Sequence, residues 1–548
     1  MSSATSTATG SPTGNRWRLS WCVIMTTVVL WPFVVAVVTG WDRRNALLLR
    51  DMSVPGSMAL NDLATGADGV ARAVPQDAVL AVLSPLVPPP VVVGLLMCSC
   101  GVAGAWGASL LARQFGAGCV GQALAAFLVL WNPYLAERLL QGHWSVVAAG
   151  MLLPLVAWLA VEGRQARSAV GLVVALTVCA LTPTGLILGV VTAVVASGRR
   201  RFTVLPLVAG AVLSLPWVLP SLGDAAGTLT DAAGASLFAA RAEPWVGTPG
   251  ALAGLGGIWN ADAVPDHRLP PAGVLLAVAA VTVAVVLWRR SGWTGGLRRL
   301  SALGGVAVVV PALLATGPGL TLFGEVLETV PGAGLLRDIQ KFVVLALPAL
   351  VMLVSRVDVL VPRVTSPVPV LLAGALAFLQ VPLLPADLAQ LRPVALDGGY
   401  ADAVDAVEDA AENADLSDPH TLLWPPGNYR LIDGRPVLDP LLKMLPGSPV
   451  DPGYLIVDGR VVDGDPTTVQ LLSELASGGA SGDGFTPGAA PGTADGADGL
   501  AEAGVDLVLV EVDAARDAGV DVPAVLTDPA SPHELVWSDD RWTLYRVG

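Results

Sequence analysis

The sequence WNPYLAERLLQGHW, at positions 131–144, lies between two strongly apolar runs. It would bring several polar side chains close to a lipid bilayer, namely Glu137, Arg138, Gln141 and His143. A charged side chain at the centre of a membrane costs about 2.5–3.5 kcal/mol on insertion scales, so such groups are usually functional. The segment therefore predicts a membrane protein with a functional region at this point of the chain.

The overall composition supports the same class of protein. The chain has 548 residues, of which 53% are hydrophobic and 14% charged, as is typical of a polytopic membrane protein. The formal net charge of −14 averages two unlike parts. Residues 385–548 contain 8 basic and 29 acidic side chains, whereas residues 1–384 contain 23 basic and 16 acidic ones. The acidic tail argues against nucleic acid as a partner, because nucleic-acid binding requires basic patches.

Apolar runs predict the membrane-spanning helices, since a helix needs about 20 apolar residues to cross the hydrocarbon core. The first run, 19–39, is too long for a typical signal-peptide core and is therefore predicted to be an uncleaved first span. Ten further runs bring the predicted total to about eleven. They fall at 89–111, 117–131, 144–161, 169–182, 184–197, 203–219, 272–288, 301–316, 342–356 and 367–384.

The distribution of arginine predicts how the spans are oriented. Cytoplasmic loops carry an excess of Lys and Arg, and Arg16 and Arg18 precede the first span. With residues 1–18 placed in the cytoplasm, every connection predicted on that side contains at least one arginine. An odd number of spans then places the C-terminus outside. The sequence thus predicts a multi-pass protein of the plasma membrane with a cytoplasmic N-terminus.

The predicted organisation has two parts. Residues 19–384 form an α-helical polytopic core with external loops at 40–88, 220–271 and 317–341. Residues 385–548 form an extracytoplasmic α/β domain. Within it, residues 476–499 are rich in Gly, Ala, Ser and Asp, which is typical of a flexible loop.

A charged cluster follows the first predicted span, in the sequence WDRRNALLLRDMSVP at 41–55. It contains two carboxylates, Asp42 and Asp51. A carboxylate at the outer face is suited to act as a general base on an acceptor hydroxyl. The alternative interpretation is a solvated loop whose charges pair with each other.

Another cluster, GAGLLRDIQKF at 332–342, precedes a late span. Arg337 and Lys341 are four residues apart and are predicted to share one helical face. Two cations so placed suit a phosphate or pyrophosphate, which Arg can bind through two parallel hydrogen bonds. The alternative is that both side chains extend along the membrane surface, as long basic side chains commonly do. Three further candidate substrate-binding residues are Asp338, Gln340 and Arg138.

Several stretches resemble the GT-C superfamily of membrane glycosyltransferases, and more narrowly actinobacterial multi-pass proteins with a GT-C-like core and unassigned specificity. The matching stretches are RDMSVP, AVPQDAVLAVLS, NPYLAERLLQGHW and LLRDIQKF in the core, with LIDGRPVLDPLLKMLP and LAEAGVDLVLV in the tail. NPYLAERLLQGHW is the most specific of these.

The resemblance implies an enzyme that takes a hexosyl or pentosyl group from a polyprenyl-phosphate donor. It would attach the sugar to an envelope glycan, lipid or protein acceptor outside the cytoplasm. Asp51 is the position that matches the family's catalytic acidic residue, with Asp42 as the second choice. Arg337 and Lys341 would bind the carrier phosphate. Glu137, Gln141 and His143 are expected to support the site from behind.

The resemblance leaves the use of a divalent metal open, and no Cys/His spacing in the sequence is typical of a zinc site. The chain also lacks a paired-acid motif at the end of the first span. Two alternatives therefore remain beside the enzyme. One is a non-catalytic scaffold for envelope assembly with a GT-C-like shell. The other is a transporter or flippase of lipid-linked substrates, although the sequence contains no clear internal repeat.

Overall fold

The computed structural model describes most of the chain. The described residues are 12–67, 73–162, 166–198, 200–222, 231–290, 292–360, 367–425, 427, 429–450, 455–457, 460–462, 472, 475, 496–517, 522–528 and 532–548. The predicted loop 476–499 lies almost entirely outside these residues, which include only its last four positions.

Helices dominate the first 390 residues. The α-helices of this part are α1 (Pro12–Val29), α2 (Trp31–Thr39), α3 (Asp62–Thr65), α4 (Gln76–Leu83), α5 (Pro89–Gln114), α6 (Cys119–Leu130), α7 (Pro133–Gln141), α8 (Trp144–Glu162), α9 (Ala166–Cys179), α10 (Pro183–Ser197), α11 (Arg200–Ser221), α12 (Ala233–Leu237), α13 (Gly247–Ala253), α14 (Pro270–Arg289), α15 (Gly295–Leu314), α16 (Gly317–Thr329), α17 (Leu347–Val354), α18 (Val368–Gln380) and α19 (Leu384–Asp387). Five 3-10 helices join them, at Ala261–Ala263, Ala333–Leu336, Ile339–Ala346, Val357–Leu360 and Leu388–Leu391.

The structure confirms a polytopic helical membrane protein but gives fewer full-length spans than the sequence predicts. Each of the eleven predicted runs is mainly helical. In the described part of the chain, seven helical stretches are long and apolar enough to cross a membrane, or eight with α1 and α2 counted as one bent pair. These two helices meet at 81°, because Pro32 begins a new helix there. Three shorter apolar helices, Ala166–Cys179, Pro183–Ser197 and Ile339–Val354, correspond to the other predicted spans.

Close packing between α5 and α8 forms the centre of the helical core. Gly104 and Gly107 on α5 face Met151 and Leu155 on α8. A Cβ atom at Gly104 would lie 2.1 Å from the Met151 carbonyl oxygen, so only glycine permits this approach. Small residues at such contacts are a common basis of helix association in membranes.

The tail contains the predicted mixture of strands and helices. Its main sheet has the order β11-β12-β10-β4-β7, formed by Glu534–Ser538, Trp542–Arg546, Leu507–Glu511, His420–Trp424 and Ser448–Val450. Strand β10 is parallel to β4 and antiparallel to β12. Two hairpins accompany the sheet, β5 (Tyr429–Ile432) with β6 (Arg435–Leu438) and β8 (Leu455–Val457) with β9 (Arg460–Val462). The helices of the tail are α20 (Gly399–Asn413), α21 (Leu441–Met444), α22 (Gly496–Glu502), α23 (Val512–Asp517) and α24 (Ala524–Thr527).

The first predicted loop and the tail are joined through a further sheet. Strand β1 (Asn45–Leu49) pairs with β2 (Met52–Val54) on one side and with β3 (Val394–Ala395) on the other. Successive side chains of a strand point to opposite faces. Accordingly Leu47 and Leu49 pack into the core of the membrane helices, whereas Ala46 and Leu48 pack into the core of the tail. Strand β1 therefore fixes the tail against the membrane unit.

Candidate active site

The opening segment of the sequence folds into the short helix α7, which is buried along its whole length. Asn132 caps its first turn by accepting a hydrogen bond from the Leu135 amide, at 2.9 Å. Gly142 ends the helix in the left-handed conformation, with φ of 98°. A Cβ atom at Gly142 would lie 2.2 Å from the Met52 amide nitrogen. Glycine at this position thus lets the tip of the β1–β2 hairpin rest on the end of α7.

That hairpin tip presents Asp51. Leu49 pairs with Met52, so Arg50 and Asp51 form a two-residue turn. Arg50 adopts a positive φ of 47°, as tight hairpin turns require. Its guanidinium donates to the carbonyl oxygens of Leu140, at 2.5 Å, and Asp262, at 2.7 Å. The turn is thereby fixed to α7 and to the 256–262 segment.

Three side chains donate hydrogen bonds to the Asp51 carboxylate. Gln141 Nε2 and His143 Nε2 lie 3.0 and 2.9 Å from Oδ2, and the Tyr429 hydroxyl donates to Oδ1. Burial opposes the ionisation of Asp51. The hydrogen bonds from His143, Tyr429 and Gln141 outweigh it and lower the pKa to about 2. Asp51 is therefore ionised at neutral pH while 28% of its side chain remains exposed.

Arg138 determines the tautomer of His143. Its guanidinium lies 3.2 Å from His143 Nδ1. Because a guanidinium only donates hydrogen bonds, Nδ1 must be the unprotonated nitrogen. In the neutral ring the proton is then on Nε2, from which it is donated to Asp51. Gln141 and His143 thus contact the carboxylate directly, closer than the supporting positions predicted for them.

The predicted substrate ligands Arg138, Asp338 and Gln340 instead satisfy one another. Arg138 is fully buried and binds both carboxylate oxygens of Asp338, with one bond at 2.8 Å, and also donates to Gln340 Oε1. Gln340 Nε2 in turn donates to the Gly256 carbonyl oxygen, at 2.9 Å. These side chains hold α7 against the segment before α17. Their burial and internal pairing argue against the predicted contact with a phosphate.

Lys341 differs from these three residues in its contacts. It is half-buried and, in the described part of the chain, makes no hydrogen bond or ion pair through its side chain. Its backbone carbonyl accepts from the Tyr134 hydroxyl at 2.9 Å, which fixes the main chain at this point. Lys341 interacts electrostatically with Asp51, Asp338 and Arg138, so it belongs to the same cluster.

Arg337 and Lys341 do not share an α-helical face as predicted. Arg337 follows the 3-10 helix Ala333–Leu336, and Lys341 lies in the next one, Ile339–Ala346. Asp338 separates the two helices with a non-helical ψ of 71°. The tight 3-10 turn repeats every three residues, so a spacing of four no longer aligns the side chains. Arg337 stacks on the ring of Phe238 with its Cζ 4.5 Å from the ring centroid. The two cations nevertheless interact electrostatically and lie in one region.

Glu137 points away from Asp51 and organises the wall of the site. It is fully buried, accepts from the Ile258 amide at 3.0 Å and lies 3.4 Å from Arg268. Arg268 binds Glu243 through two hydrogen bonds, at 2.9 and 2.8 Å. These contacts hold the 256–268 segment beside α7. A supporting role for Glu137 in the site stays a prediction, and its contacts are with the 256–268 segment.

The remaining candidate, Asp42, lies apart from the cluster. Its carboxylate pairs with Arg44 at 3.0 Å, and both side chains are exposed, at 47% and 72%. The hydrogen bonds from Arg44 lower its pKa. Among the described residues no contact joins Asp42 to Asp51 or to Lys341, so it does not fit the role of alternative base.

Sequence reasoning missed Tyr429 and Asn260. Asn260 donates to Gln141 Oε1 at 2.7 Å and so orients the amide that binds Asp51. Asn260 lies far from the quoted stretches, and Tyr429 lies two residues before LIDGRPVLDPLLKMLP, but neither position is marked by a charge pattern that points to Asp51. Only the fold brings them to the site.

Solved structures of other proteins have an architecture similar to that of this chain. The chain is similar to the mycobacterial arabinofuranosyltransferase AftD, with a TM-score of 0.50 and 17% identity over 97% of this chain and 40% of that chain. A mutant form of AftD gives a TM-score of 0.51 with 17% identity, over 97% and 42% of the two chains. These proteins are membrane glycosyltransferases of the GT-C superfamily. The chain has the GT-C fold.

The match has defined limits. The chain spans about two fifths of the length of AftD. The oligosaccharyltransferase of Archaeoglobus fulgidus is similar at a TM-score of 0.41 and 10% identity, over 92% of this chain and 70% of that chain, which is too weak to support a conclusion. No protein-family model and no curated protein matches the sequence significantly. The comparisons therefore assign the GT-C fold alone.

The described residues do not form a metal site of protein ligands. Within the described ranges, no group of three or more His, Cys, Asp or Glu side chains is arranged to hold an ion. The oxygens of Asp51 already accept from three donors, and Asp338 is paired with Arg138. We therefore assign no step of the chemistry to a metal.

Proposed function

We propose that this protein is a glycosyltransferase that moves a sugar from a polyprenyl-phosphate donor to a hydroxyl group of an envelope acceptor. The observation that carries the proposal is the placement of Asp51 and Lys341 in one cluster of a GT-C fold. The first is an ionised, partly exposed carboxylate, and the second is a cation whose ammonium has no partner among the described residues.

The reaction follows from these two groups. The Asp51 carboxylate accepts the proton of the acceptor hydroxyl, and the oxygen of that hydroxyl forms a bond to the anomeric carbon of the donor. The bond from that carbon to the phosphate oxygen breaks, and the polyprenyl phosphate leaves with the electron pair. Lys341 offsets the negative charge that develops on the phosphate. Displacement from the opposite side inverts the anomeric configuration.

Gln141 and His143 keep the carboxylate oriented for this step. Their hydrogen bonds occupy Oδ2 and leave Oδ1, to which only Tyr429 donates among the described residues, for the acceptor. A carboxylate with a pKa of about 2 is a weak base. If the acceptor hydroxyl displaces the Tyr429 hydroxyl, Tyr429 no longer stabilises the charged carboxylate. The basicity of Asp51 toward the acceptor proton then rises.

The substrate is proposed at the level of its chemistry. A pentosyl donor is the first choice because AftD is an arabinofuranosyltransferase, and a hexosyl donor is the alternative. The acceptor is an envelope glycan, lipid or protein. The arginine distribution supports a cytoplasmic N-terminus and, with it, an extracytoplasmic location of the Asp51 cluster and the tail. A fusion of alkaline phosphatase to the C-terminus should accordingly be active.

Lys341 provides the first test. Membranes containing the protein should transfer radiolabel from polyprenyl-phosphate arabinofuranose or polyprenyl-phosphate mannose to an endogenous acceptor. Lys341→Met should raise the donor KM by about 10- to 100-fold, the range expected for one charge-assisted hydrogen bond. Lys341→Arg should restore most of the affinity. Equal transfer by wild type and Lys341→Met would contradict the assignment.

A non-catalytic scaffold is the second candidate, and one observation favours it. All three donors around Asp51 come from the protein itself, so the carboxylate is satisfied without a substrate. A scaffold predicts that no variant of Asp51 or Lys341 changes envelope glycan composition, whereas deletion of the protein does. The enzyme predicts that these variants reproduce the deletion.

A further inference from the structure

A large cavity lies between the membrane helices and the tail, separate from Asp51. Its volume is about 800 Å³. Residues from α2, β1, β3 and the turn of the β5–β6 hairpin line it, together with Arg541. Asn45 at the start of β1 is part of the lining, whereas Asp51, Lys341 and Tyr429 are not. The cavity is therefore not part of the proposed reaction centre.

The cavity lies where the chain leaves the membrane at both ends of the helical core. Thr39, a lining residue, is the last residue of α2. Arg392, also in the lining, directly follows the helical stretch Val368–Leu391. The neighbouring side chains of Val38 and Trp41 are 71% and 59% exposed, as expected where protein faces lipid and its headgroups. The opening is thus at the level of the lipid headgroups.

The charge of the cavity contrasts with that of the tail. The tail has only 8 basic residues against 29 acidic ones, yet three of the basic ones line this cavity: Arg392, Arg435 and Arg541. The acidic lining residues are Asp397 and Asp433. Asp397 pairs with Arg541, and Asp433 lies 3.8 Å from Arg435. Among the described residues Arg392 has no carboxylate partner, so the cavity favours an anion at Arg392.

The three lining arginines differ in how many of their guanidinium N–H groups already have a hydrogen-bond partner. Arg541 is bound by Asp397, Glu511 and the Tyr400 hydroxyl. Arg435 donates to the carbonyl oxygens of Gln390, at 2.7 Å, and Arg392, at 3.1 Å. Arg392 is exposed and uses only Nε, which donates to the Ala389 carbonyl oxygen at 3.1 Å. In the part of the chain that is described, its two terminal nitrogens have no partner, so they can bind two oxygens of one phosphate.

The rest of the lining suits a hydrocarbon chain. Val35 faces the cavity from α2, and Leu431 faces it from the hairpin with 76% of its side chain exposed. An exposed leucine beside an arginine at headgroup level fits an amphiphile whose charged end is held and whose apolar end continues into the bilayer. A free phosphate ion would contact the arginines but would gain nothing from the apolar side chains.

We propose that this cavity binds the headgroup of an anionic phospholipid, with Arg392 and Arg435 on the phosphate and Val35 and Leu431 along the acyl chain. The bound lipid joins the end of α2 to the turn of the β5–β6 hairpin. The other end of that hairpin carries Tyr429, which contacts Asp51. The lipid therefore braces the element that closes the proposed active site. Lipid binding itself does not depend on the proposed glycosyltransferase function.

The test is native mass spectrometry of the full-length protein in detergent, titrated with phosphatidylglycerol. Arg392→Gln should weaken phosphatidylglycerol binding about tenfold, the loss expected for one charge-assisted pair. Arg516→Gln is the matched control, because Arg516 is exposed and pairs with Asp513 on α23. It should bind as wild type does. Phosphatidylcholine should bind weakly to all three proteins.

Two further measurements distinguish a lipid headgroup from a free phosphate ion as the ligand of this cavity. Leu431→Asn should weaken phosphatidylglycerol binding by a similar factor, because it removes the apolar contact and leaves the charge of the cavity unchanged. Competition by inorganic phosphate at millimolar concentration should be weak. Equal binding of phosphatidylglycerol by wild type and Arg392→Gln would overturn the proposal, as would full displacement of the lipid by inorganic phosphate. Thermal unfolding of each variant separates loss of binding from loss of fold.

Discussion

The hydroxyl group of Tyr429 donates a hydrogen bond to Asp51, although 378 residues separate the two in the chain. The tail thereby contributes a side chain directly to the carboxylate at the tip of the β1–β2 hairpin. Both sides of this contact are fixed, since β1 pairs with β3 and Arg50 forms a bridge with Val437 in β6. The tail is thus part of the candidate active site.

Tyr429→Phe should raise the pKa of Asp51 above about 2, because it removes a donor that stabilises the ionised carboxylate. The depressed pKa contributes stability that is present above the unfolded value of about 4 and is lost as pH falls toward 2. In Tyr429→Phe this contribution to stability should be smaller, and its loss should be complete at a higher pH, because only the folded-state pKa has changed. Infrared difference spectra of the carboxyl stretch, taken between each protein and its Asp51→Asn counterpart, measure the titration. An unchanged midpoint would show that Tyr429 does not stabilise the charge.

Replacing Arg138 should be among the most destabilising changes in the chain. Arg138→Met leaves Asp338 buried and unpaired, which costs about 3–5 kcal/mol. The double variant Arg138→Met with Asp338→Leu removes both charges and should recover much of that loss. Thermal unfolding of Arg138→Met, Asp338→Leu and the double variant gives the coupling free energy between the two side chains. Additive losses would contradict a direct pair.

Gly142→Ala should displace the hairpin tip that presents Asp51. The new Cβ atom would meet the Met52 amide at 2.2 Å, and alanine is also strained at a φ of 98°. Gly332→Ala is the matched control, because its φ is 78° and nothing lies within 4 Å of the new atom. We expect Gly142→Ala to lower both stability and sugar transfer, and Gly332→Ala to show only the small backbone cost of about 1 kcal/mol. Similar behaviour of the two variants would mean that the close approach to Met52 is unimportant.

His143→Gln and His143→Leu separate the hydrogen bond of His143 from the other contributions of its ring. An amide can replace the Nε2–H donor to Asp51, whereas leucine cannot. His143→Gln should therefore retain most of the transfer rate, and His143→Leu should reduce it about tenfold or more, as for loss of a hydrogen bond to a charged group. If both variants lose activity equally, His143 acts by more than donating this bond.

Much of the fold could be predicted because its cause is local. A long apolar run requires a helix in a membrane, and each of the eleven predicted runs is mainly helical. The bend at Pro32 and the short helices α9 and α10 are less predictable, since packing within the protein allows segments that would be too short to span alone. The pairing of β1 with β3 could not be predicted, because β3 is two residues long and lies 345 or more positions away.

The site could be predicted in part for a similar reason. Charges near a bilayer stand out in the sequence, which is how Asp51, Arg138 and Lys341 were found. Sequence spacing does not reveal partners, so Arg138 and Asp338 were interpreted as ligands of a phosphate when they bind each other. Trp131 and Trp144 are of the residue type that anchors proteins at the membrane surface, yet both are buried, and Trp131 stacks between Phe127 and Phe378. Tyr429 carried no signal because a lone tyrosine in a strand is ordinary.

The role of Asp51 as the base is tested most directly by its isosteric replacement. Purified Asp51→Asn, with unfolding behaviour checked against wild type, is assayed for transfer of labelled sugar from polyprenyl-phosphate arabinofuranose and polyprenyl-phosphate mannose. Asp42→Asn is the matched control, since that exposed carboxylate lies outside the cluster. We expect Asp51→Asn to lower the transfer rate by about 100-fold or more, the usual contribution of a general base, and Asp42→Asn to leave it unchanged. A wild-type rate in Asp51→Asn would contradict the proposed mechanism.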